Sequence, residues 1–356
     1  MPAVQRRSGI IDTDVHLNDP NAGALAEFLP RQYRELGFGG VGSLGGHRGS
    51  GNPFGVTRRD VDWAEDDPLE IVKRELLDKY DLALALVNAP GGFGVGVHPN
   101  ARYATAVARA WNDWLAKNWM GRDPRIRVSV NVALQDPEAA AAEIKRWSGH
   151  PEVLQVVMTS ATRTPLGDRF YWPIYAAACD AGLPVAVHPG SEGTGISNTF
   201  SAGMPSSYLE WHTNLSQNYM AQVCSLAVRG ALVEFPDLRF VALEGGFAWL
   251  PHLMWRLDKN WKALRVTAPW LKRAPSEYII EQVRLSTQPM EEAPRPEQLL
   301  HVLDMIQADK TLLFSSDFPH WDNDDPAFAL RPLPEPLKSR VMGESAAELY
   351  GIEWAD

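Results

Sequence analysis

Three segments of the chain place acidic or imidazole side chains at the end of an apolar, β-rich run. Asp14 and His16 stand near the end of the first run, His188 ends a middle one, and Asp317 ends the last one. Residues two apart on a strand point to the same face, so Asp14 and His16 can act together. Two imidazoles and two carboxylates that converge would bind one divalent metal ion. The sequence therefore predicts a metal site made of these four residues.

The elements that must position these residues alternate between strands and helices. Continuous apolar runs such as 82–87 are typical of strands that are buried on both faces. The alternation predicts a (β/α)8 TIM barrel with long loops at its catalytic mouth, formed by a single domain over residues 1–356. In a closed barrel the first and last strands are neighbours and the fifth lies across a narrow mouth. The predicted strands are 9–16, 82–89, 125–133, 152–159, 183–189, 239–245, 283–288 and 311–317, and the predicted helices are 68–80, 100–120, 136–148, 168–181, 216–234, 247–265, 296–309 and 326–350.

Two long segments without periodicity are expected to form mouth loops. Segment 34–66 is rich in glycine, and segment 190–215 follows His188. Long irregular loops in a compact domain are commonly functional, so we expect them to act as lids or to bind substrate. Arg48 in the first loop is a cation that would offset an acidic site, and Trp211 in the second is predicted to contact the substrate.

These landmarks together resemble the amidohydrolase superfamily, in its aminocarboxymuconate-semialdehyde-decarboxylase-like branch, often labelled amidohydrolase 2. The similar segments are Asp-x-Asp-x-His near the N-terminus, Val-His-Pro, Pro-x-Leu-Arg-Phe before the sixth strand and Ser-Asp-Phe-Pro-His, so the resemblance spans about 10–350. It implies a distorted (β/α)8 barrel, one catalytic divalent ion that is commonly zinc, and frequent homodimers. Ligand type leaves manganese open as well as zinc, because imidazoles favour zinc whereas carboxylates admit manganese.

The chain departs from the family pattern in two places. Where the family most often has His-x-His on the first strand, this chain has Asp14-x-His16. The family usually ends strand six in a His-Gly-Gly-like element whose histidine acts on metal-bound water, and Glu244 stands at that position here. We therefore assign the proton transfer to Glu244 or Asp317, with His212 as the alternative. His320, just beyond the last strand, is predicted to contact the substrate or to brace its loop.

The charge of this site bears on the reaction. Asp14, Asp317 and Glu244 would place three carboxylates around one dication, which pushes at least one carboxyl pKa upward. A protonated carboxyl can then act as a general acid, and the ion would activate a bound water. The leading hypothesis is hydrolysis of a small organic substrate, because the extra carboxylate makes an anionic substrate less welcome. The alternatives are non-oxidative decarboxylation of an aromatic or unsaturated acid and, less favoured, a metal-free binding or scaffold barrel.

Composition excludes several other classes of function. The net charge of -10 and the lack of a basic stripe argue against nucleic acid as a partner. A hydrophobic content of 45% supports a large core, yet no run of residues approaches a transmembrane span. The sequence thus predicts a cytoplasmic enzyme that acts on a small molecule without a membrane partner.

Overall fold

The fold is built around one sheet of eight parallel strands in sequential order. The computed structural model describes residues 9–18, 25–35, 57–63, 67–89 and 92–353. Every neighbouring pair from the first to the eighth strand is parallel, as the strand–helix alternation predicts. The strands are β1 (Ile10–His16), β2 (Leu82–Asn88), β3 (Ile126–Asn131), β4 (Val153–Thr159), β5 (Val185–His188), β6 (Phe240–Ala242), β7 (Val283–Ser286) and β8 (Leu312–Leu313).

The end of the sheet folds back onto its beginning. The backbone N–H of Thr13 donates to the carbonyl of Phe314 at 3.0 Å, and that of His16 donates to the carbonyl of Phe318 at 2.7 Å. The first strand and the segment after β8 therefore lie side by side. This arrangement is a nearly closed (β/α)8 barrel, so the predicted fold class is confirmed.

Helices connect the strands and cover the outside of the barrel. Several begin with the expected signals: the Asp136 carboxylate accepts from the N–H of Ala139, with Pro137 in the first turn. The helices are α1 (Arg31–Glu35), α2 (Pro68–Val72, continued by a π-helical turn Lys73–Leu77), α3 (Ala101–Asn118), α4 (Pro137–Trp147), α5 (Trp172–Ala181), α6 (Tyr208–Val228), α7 (Ala231–Glu234), α8 (Leu250–Leu264), α9 (Pro275–Gln282), α10 (Pro296–Met305), α11 (Ala308–Thr311), α12 (Leu337–Ser339) and α13 (Ser345–Tyr350).

Two apolar layers stabilise the barrel. The larger one lies between the strands and the surrounding helices, and it includes the fully buried Trp114 and Tyr175. The smaller one fills the inside of the barrel with side chains such as Leu86 and Val241. Ala346 of α13 packs against this inner layer, so the last helix closes the end opposite the mouth. These layers hold the strand ends in fixed relative positions.

The structure differs from the predicted elements in several places. Helix α9 was not predicted, because its short apolar run merges in sequence with the strand that follows. The helix predicted over 326–350 is wrong for its first part, since Pro332, Pro334 and Pro336 each remove a backbone donor and fix φ. The predicted loop 190–215 is shorter than expected, because α6 begins at Tyr208 with Ser207 as its N-cap. Within the described ranges, no helix is long and apolar enough to cross a bilayer.

Candidate metal centre

The four predicted ligand residues meet in one buried group at the mouth of the barrel. One ligand atom from each of Asp14, His16, His188 and Asp317 lies within 4.8 Å of every other. His16 Nε2 is 2.9 Å from Asp317 Oδ1 and 3.4 Å from Asp14 Oδ1, and His188 Nε2 is 3.4 Å from Asp14 Oδ2. Side chains from the two ends of the sheet and from its middle are thus brought together.

The chemistry of this group fits a divalent ion. Asp14 Oδ2, His16 Nε2, His188 Nε2 and Asp317 Oδ1 are all buried and make no hydrogen bond. Buried polar atoms are normally paired, because an unpaired one costs about 1–3 kcal/mol. Imidazole nitrogens and carboxylate oxygens are donors that zinc and manganese accept. Four such atoms that converge without partners are therefore ready to hold one ion.

Neighbouring groups orient two of these donors. The amide of Asn88, at the end of β2, donates to Asp14 Oδ1 at 2.6 Å, which leaves Asp14 Oδ2 directed at His188. His188 Nδ1 lies 2.7 Å from the carbonyl of Pro189, which can only accept a hydrogen bond. Nδ1 must then carry the proton of the neutral ring, and Nε2 keeps its lone pair for an ion. The neighbours of both residues thus present the donor atoms toward the group.

The backbone is strained where two of the acidic residues project into the site. Glu244 has φ of 54° and Asp317 has φ of 59°, both in the left-handed region that residues other than glycine seldom adopt. The Asp317 N–H donates to the carbonyl of Asp14 at 3.1 Å, and the Glu244 N–H donates to Ser286 Oγ at 2.9 Å. Residues held in this way are concentrated at functional sites. Strain therefore marks the two residues that the sequence suggested for proton transfer.

Asp317 and His320 form a tight acid–base pair. His320 Nδ1 lies 2.7 Å from Asp317 Oδ1, and its ring stacks on His16 with centroids 4.3 Å apart. Burial acts to raise the pKa of Asp317, but His320 and His16 hold that pKa well below its usual value. Burial acts to lower the pKa of His320, but the Asp317 carboxylate outweighs this effect and raises it. The two side chains therefore favour the carboxylate form of Asp317 and the protonated form of His320.

A second acid–histidine cluster adjoins the metal group on the side of strand six. Glu244 Oε2 lies 3.1 Å from His188 Nε2, and Glu244 Oε1 lies 3.5 Å from His212 Nε2. His212 Nε2 is also 3.4 Å from Asp322 Oδ2. Burial acts to lower the pKa of His212, but Glu244 raises it above the usual value. Burial raises the pKa of Asp322 to about 6, with Asp317 adding to the effect.

The surrounding carboxylates also act on the other buried groups. Burial acts to lower the pKa of His188, yet Asp14 and then Glu244 raise it to about 10. Burial raises the pKa of Asp12 to about 7, although Ser316 donates to its carboxyl. The excess of negative charge in this region is what a dication would offset.

The residues predicted to contact the substrate do not all lie in the same part of the structure. His320 reaches the metal group through Asp317 and stays partly open to the mouth. Trp211 was predicted to lie in a loop but is in α6, where its buried side chain packs with Phe200 and Leu215. His212 is likewise helical, and its ring faces Glu244 from one turn of α6. Arg48 lies outside the described residues.

Sequence reasoning missed three neighbours of the site. Asn88 ends β2, and the polar residue after the apolar run 82–87 was the available signal. Phe93 stacks on His188 with centroids 4.1 Å apart and meets His16 edge-on at 5.8 Å. Asp322 follows His320 by two residues but gives no signal, because its contact with His212 depends on how α6 packs.

Comparison with known proteins identifies the group to which this chain is similar. A family model described as amidohydrolase matches residues 11–352. A curated gamma-resorcylate decarboxylase of a Rhizobium species is 26% identical over 306 residues, which is 80% of this chain and 90% of that protein. These matches confirm the predicted resemblance.

Solved structures share the fold. A 5-carboxyvanillate decarboxylase from Sphingomonas paucimobilis has a TM-score of 0.68 at 23% identity and covers 97% of this chain and 100% of its own. The corresponding enzyme from Novosphingobium aromaticivorans, solved with manganese and 4-hydroxy-3-methoxy-5-nitrobenzoic acid, has a TM-score of 0.70 at 18% identity, with 98% and 99% covered. Both likenesses place the chain in the same barrel architecture.

Proposed function

Because the chain belongs to the amidohydrolase family, we propose that it is a metal-dependent, non-oxidative decarboxylase of an aromatic carboxylic acid. The observation that carries this proposal is the buried four-donor group whose converging atoms make no hydrogen bond, with the Asp317–His320 pair beside it. Relatives named as decarboxylases of aromatic acids support this reaction over the hydrolysis that the sequence analysis placed first.

In this proposal Asp14, His16, His188 and Asp317 hold one divalent ion. The ion would supply positive charge that orients the substrate carboxylate and offsets the site's own carboxylates. Manganese is present in the Novosphingobium structure, and the donor set also suits zinc. Both ions therefore belong in the first assays.

Decarboxylation requires one proton at the right place. The bond between the ring carbon and the carboxylate breaks, carbon dioxide leaves, and the ring carbon keeps the electron pair and takes up a proton. His320 Nδ1 shares a hydrogen bond with Asp317 Oδ2 at 2.8 Å, so the pair can hold one proton between an imidazole and a carboxylate. We assign the pair as the proton donor, since a positioned acid contributes about 10²- to 10⁴-fold to such steps. His320, whose side chain is 21% exposed, can regain the proton from solvent.

Glu244 and His212 have a different part in this scheme. Glu244 touches His188 with one oxygen and faces His212 with the other, so it connects the ligand group with the wall of the mouth. We assign both side chains to holding the substrate ring. Trp211, which is buried behind His212 at a centroid distance of 6.1 Å, supports that wall.

Carbon dioxide release tests the proposal directly. Purified protein loaded with manganese or zinc is offered a panel of hydroxy-, amino- and methoxybenzoates in D₂O. We expect release of carbon dioxide and one deuterium at the former carboxyl position. The matching amides and esters are assayed in parallel: their cleavage without carbon dioxide release would establish hydrolysis instead. Failure to bind either metal would contradict both reactions and favour a binding protein.

A further inference from the structure

The side chains of Glu244, His212 and Asp322 form a polar cluster beside the metal group, which we call the recess. His212 Nε2 lies between the two carboxylates, 3.5 Å from Glu244 Oε1 and 3.4 Å from Asp322 Oδ2. The other oxygen of Glu244 is 3.1 Å from His188 Nε2. The recess thus begins at a side chain that touches the proposed ligand group and extends away from it.

The three side chains of the recess differ in exposure, and one of them carries an unsatisfied polar atom. The Glu244 side chain is 9% exposed, whereas those of His212 and Asp322 are each 19% exposed, so the recess has a deep end and an open end. His212 Nε2 is buried, and despite its two acidic neighbours it makes no hydrogen bond to either. A buried polar atom in this state is typically satisfied by a ligand or by ordered water.

Aromatic side chains border the recess. Tyr208 stacks on His212 with ring centroids 5.7 Å apart and an interplanar angle of 25°. Trp321 meets Tyr208 edge-on at 6.4 Å and is partly exposed. Such walls suit a flat, apolar ring, because aromatic rings pair in stacked or edge-on arrangements. The recess therefore combines a surface for a ring with polar atoms at one edge.

The polar atoms of this recess select one kind of ring substituent. Ionised carboxylates accept hydrogen bonds and cannot donate them, so Glu244 and Asp322 favour a group that carries a hydrogen. A hydroxyl or an amine provides that hydrogen, a methyl group does not, and a second carboxylate would face two like charges. A substituent that covers these acceptors without supplying a hydrogen would leave them without a donor, which weakens its binding.

We propose that Glu244, His212 and Asp322 form a specificity subsite that binds a hydroxyl or amino substituent of the aromatic acid and disfavours a second carboxylate. This inference rests on the proposed function, since it places the ring's reacting carboxylate at the metal group. It adds Asp322 as a specificity-determining residue.

Binding measurements test the subsite without turnover. Manganese-loaded protein is titrated calorimetrically with benzoates that carry hydroxyl, amino, methyl or carboxylate at each ring position. We expect one position at which hydroxyl or amino binds at least about 10-fold more tightly than methyl, and a second carboxylate binds most weakly, as for a hydrogen bond to a charged group. Asp322→Ala should remove most of this preference, and Asp322→Asn should lessen the penalty on the second carboxylate.

Asp325→Asn is the matched control, because that carboxyl lies on the same loop but accepts from Tyr80 Oη at 2.9 Å. This variant should keep the full preference, and unfolding temperature and metal content show that each variant is folded. The subsite is overturned if no position prefers a donor, if the preference survives Asp322→Ala, or if no benzoate binds. Selective binding without carbon dioxide release would instead retain the subsite and reject the proposed reaction.

Discussion

The buried polar side chains at the two ends of the barrel interior differ in their hydrogen bonding. In the lower half, Gln155 donates to Ser129 Oγ at 2.9 Å and accepts from Tyr350 Oη at 2.9 Å. At the mouth, ligand atoms of residues such as Asp14 and His188 are equally buried but make no hydrogen bond. Polar groups that form hydrogen bonds with one another stabilise the fold. Buried groups that converge without hydrogen bonds are arranged to bind a ligand such as a metal ion.

This contrast distinguishes the ligand atoms of the metal group from the hydrogen-bonded network around Gln155. At the mouth, Glu244 and Asp317 also adopt positive φ. Substitutions at the mouth should therefore change chemistry or ion binding with small effects on stability. Substitutions in the lower half should do the reverse.

The largest effect is expected for Asp317→Asn. The amide cannot serve as the carboxylate of the proton-holding pair with His320, so turnover should fall by roughly 10²- to 10⁴-fold. The fold should persist, since asparagine is among the residues that best tolerate the positive φ at this position. Steady-state rates and thermal unfolding check both parts. Unchanged turnover would remove Asp317 from the mechanism.

The next effect in size is expected for Glu244→Gln. The substitution keeps the shape of the side chain but removes the charge that faces His212, and we expect turnover to fall about 10²-fold with the metal retained. Metal content per chain and substrate kinetics are measured on the same sample. Kinetics like those of the native protein would show that the Glu244 carboxylate does not hold the substrate and would leave His212 alone in that role.

A smaller effect is expected for Asn88→Ala, measured as metal affinity. Loss of the 2.6 Å hydrogen bond frees Asp14 to rotate, and loss of such an orienting partner typically weakens metal binding by about 10- to 100-fold. Asn112→Ala is the matched control: Asn112 is also buried, but it donates to the Asn131 carbonyl and to Glu143. The control should lose stability and keep its metal affinity, and equal affinities in the two variants would refute the orienting role.

The smallest effect on function is expected for Tyr350→Phe. Removal of the hydroxyl leaves Gln155 Oε1 without its donor, so the free energy of unfolding should fall by about 1–2 kcal/mol. Denaturant unfolding measures this loss. Metal affinity and turnover should stay at native values, and a change in either would show that the two ends of the barrel are coupled.

Much of the fold could be predicted because local sequence carries the relevant signal. Apolar runs such as 82–87 specify buried strands, and each predicted strand overlaps an observed one. The errors fall where the local signal is ambiguous. The short apolar run of helix α9 continues directly into the apolar residues of the next strand, so the two elements cannot be separated in the sequence. After Pro326, three prolines interrupt a segment whose composition is otherwise typical of a helix.

For the candidate site, the sequence by itself determined the donor types and their placement at strand ends. Asp14 and His16 are two residues apart on one strand, so their convergence follows from the strand period. His188 ends β5 and Asp317 follows β8, and a closed barrel must bring both of these strand ends to the same mouth. These relations are properties of the strand and of the barrel, which is why they could be recognised without the structure.

Only the tertiary structure decided which acid is ionised and which side chains surround it. His320 lowers the pKa of Asp317 because the turn after β8 places the imidazole against that carboxylate. His212 meets Asp322 because the packing of α6 brings together residues that are far apart in the chain. Electrostatic interactions depend on distance in space and on burial, and neither is encoded by spacing along the sequence.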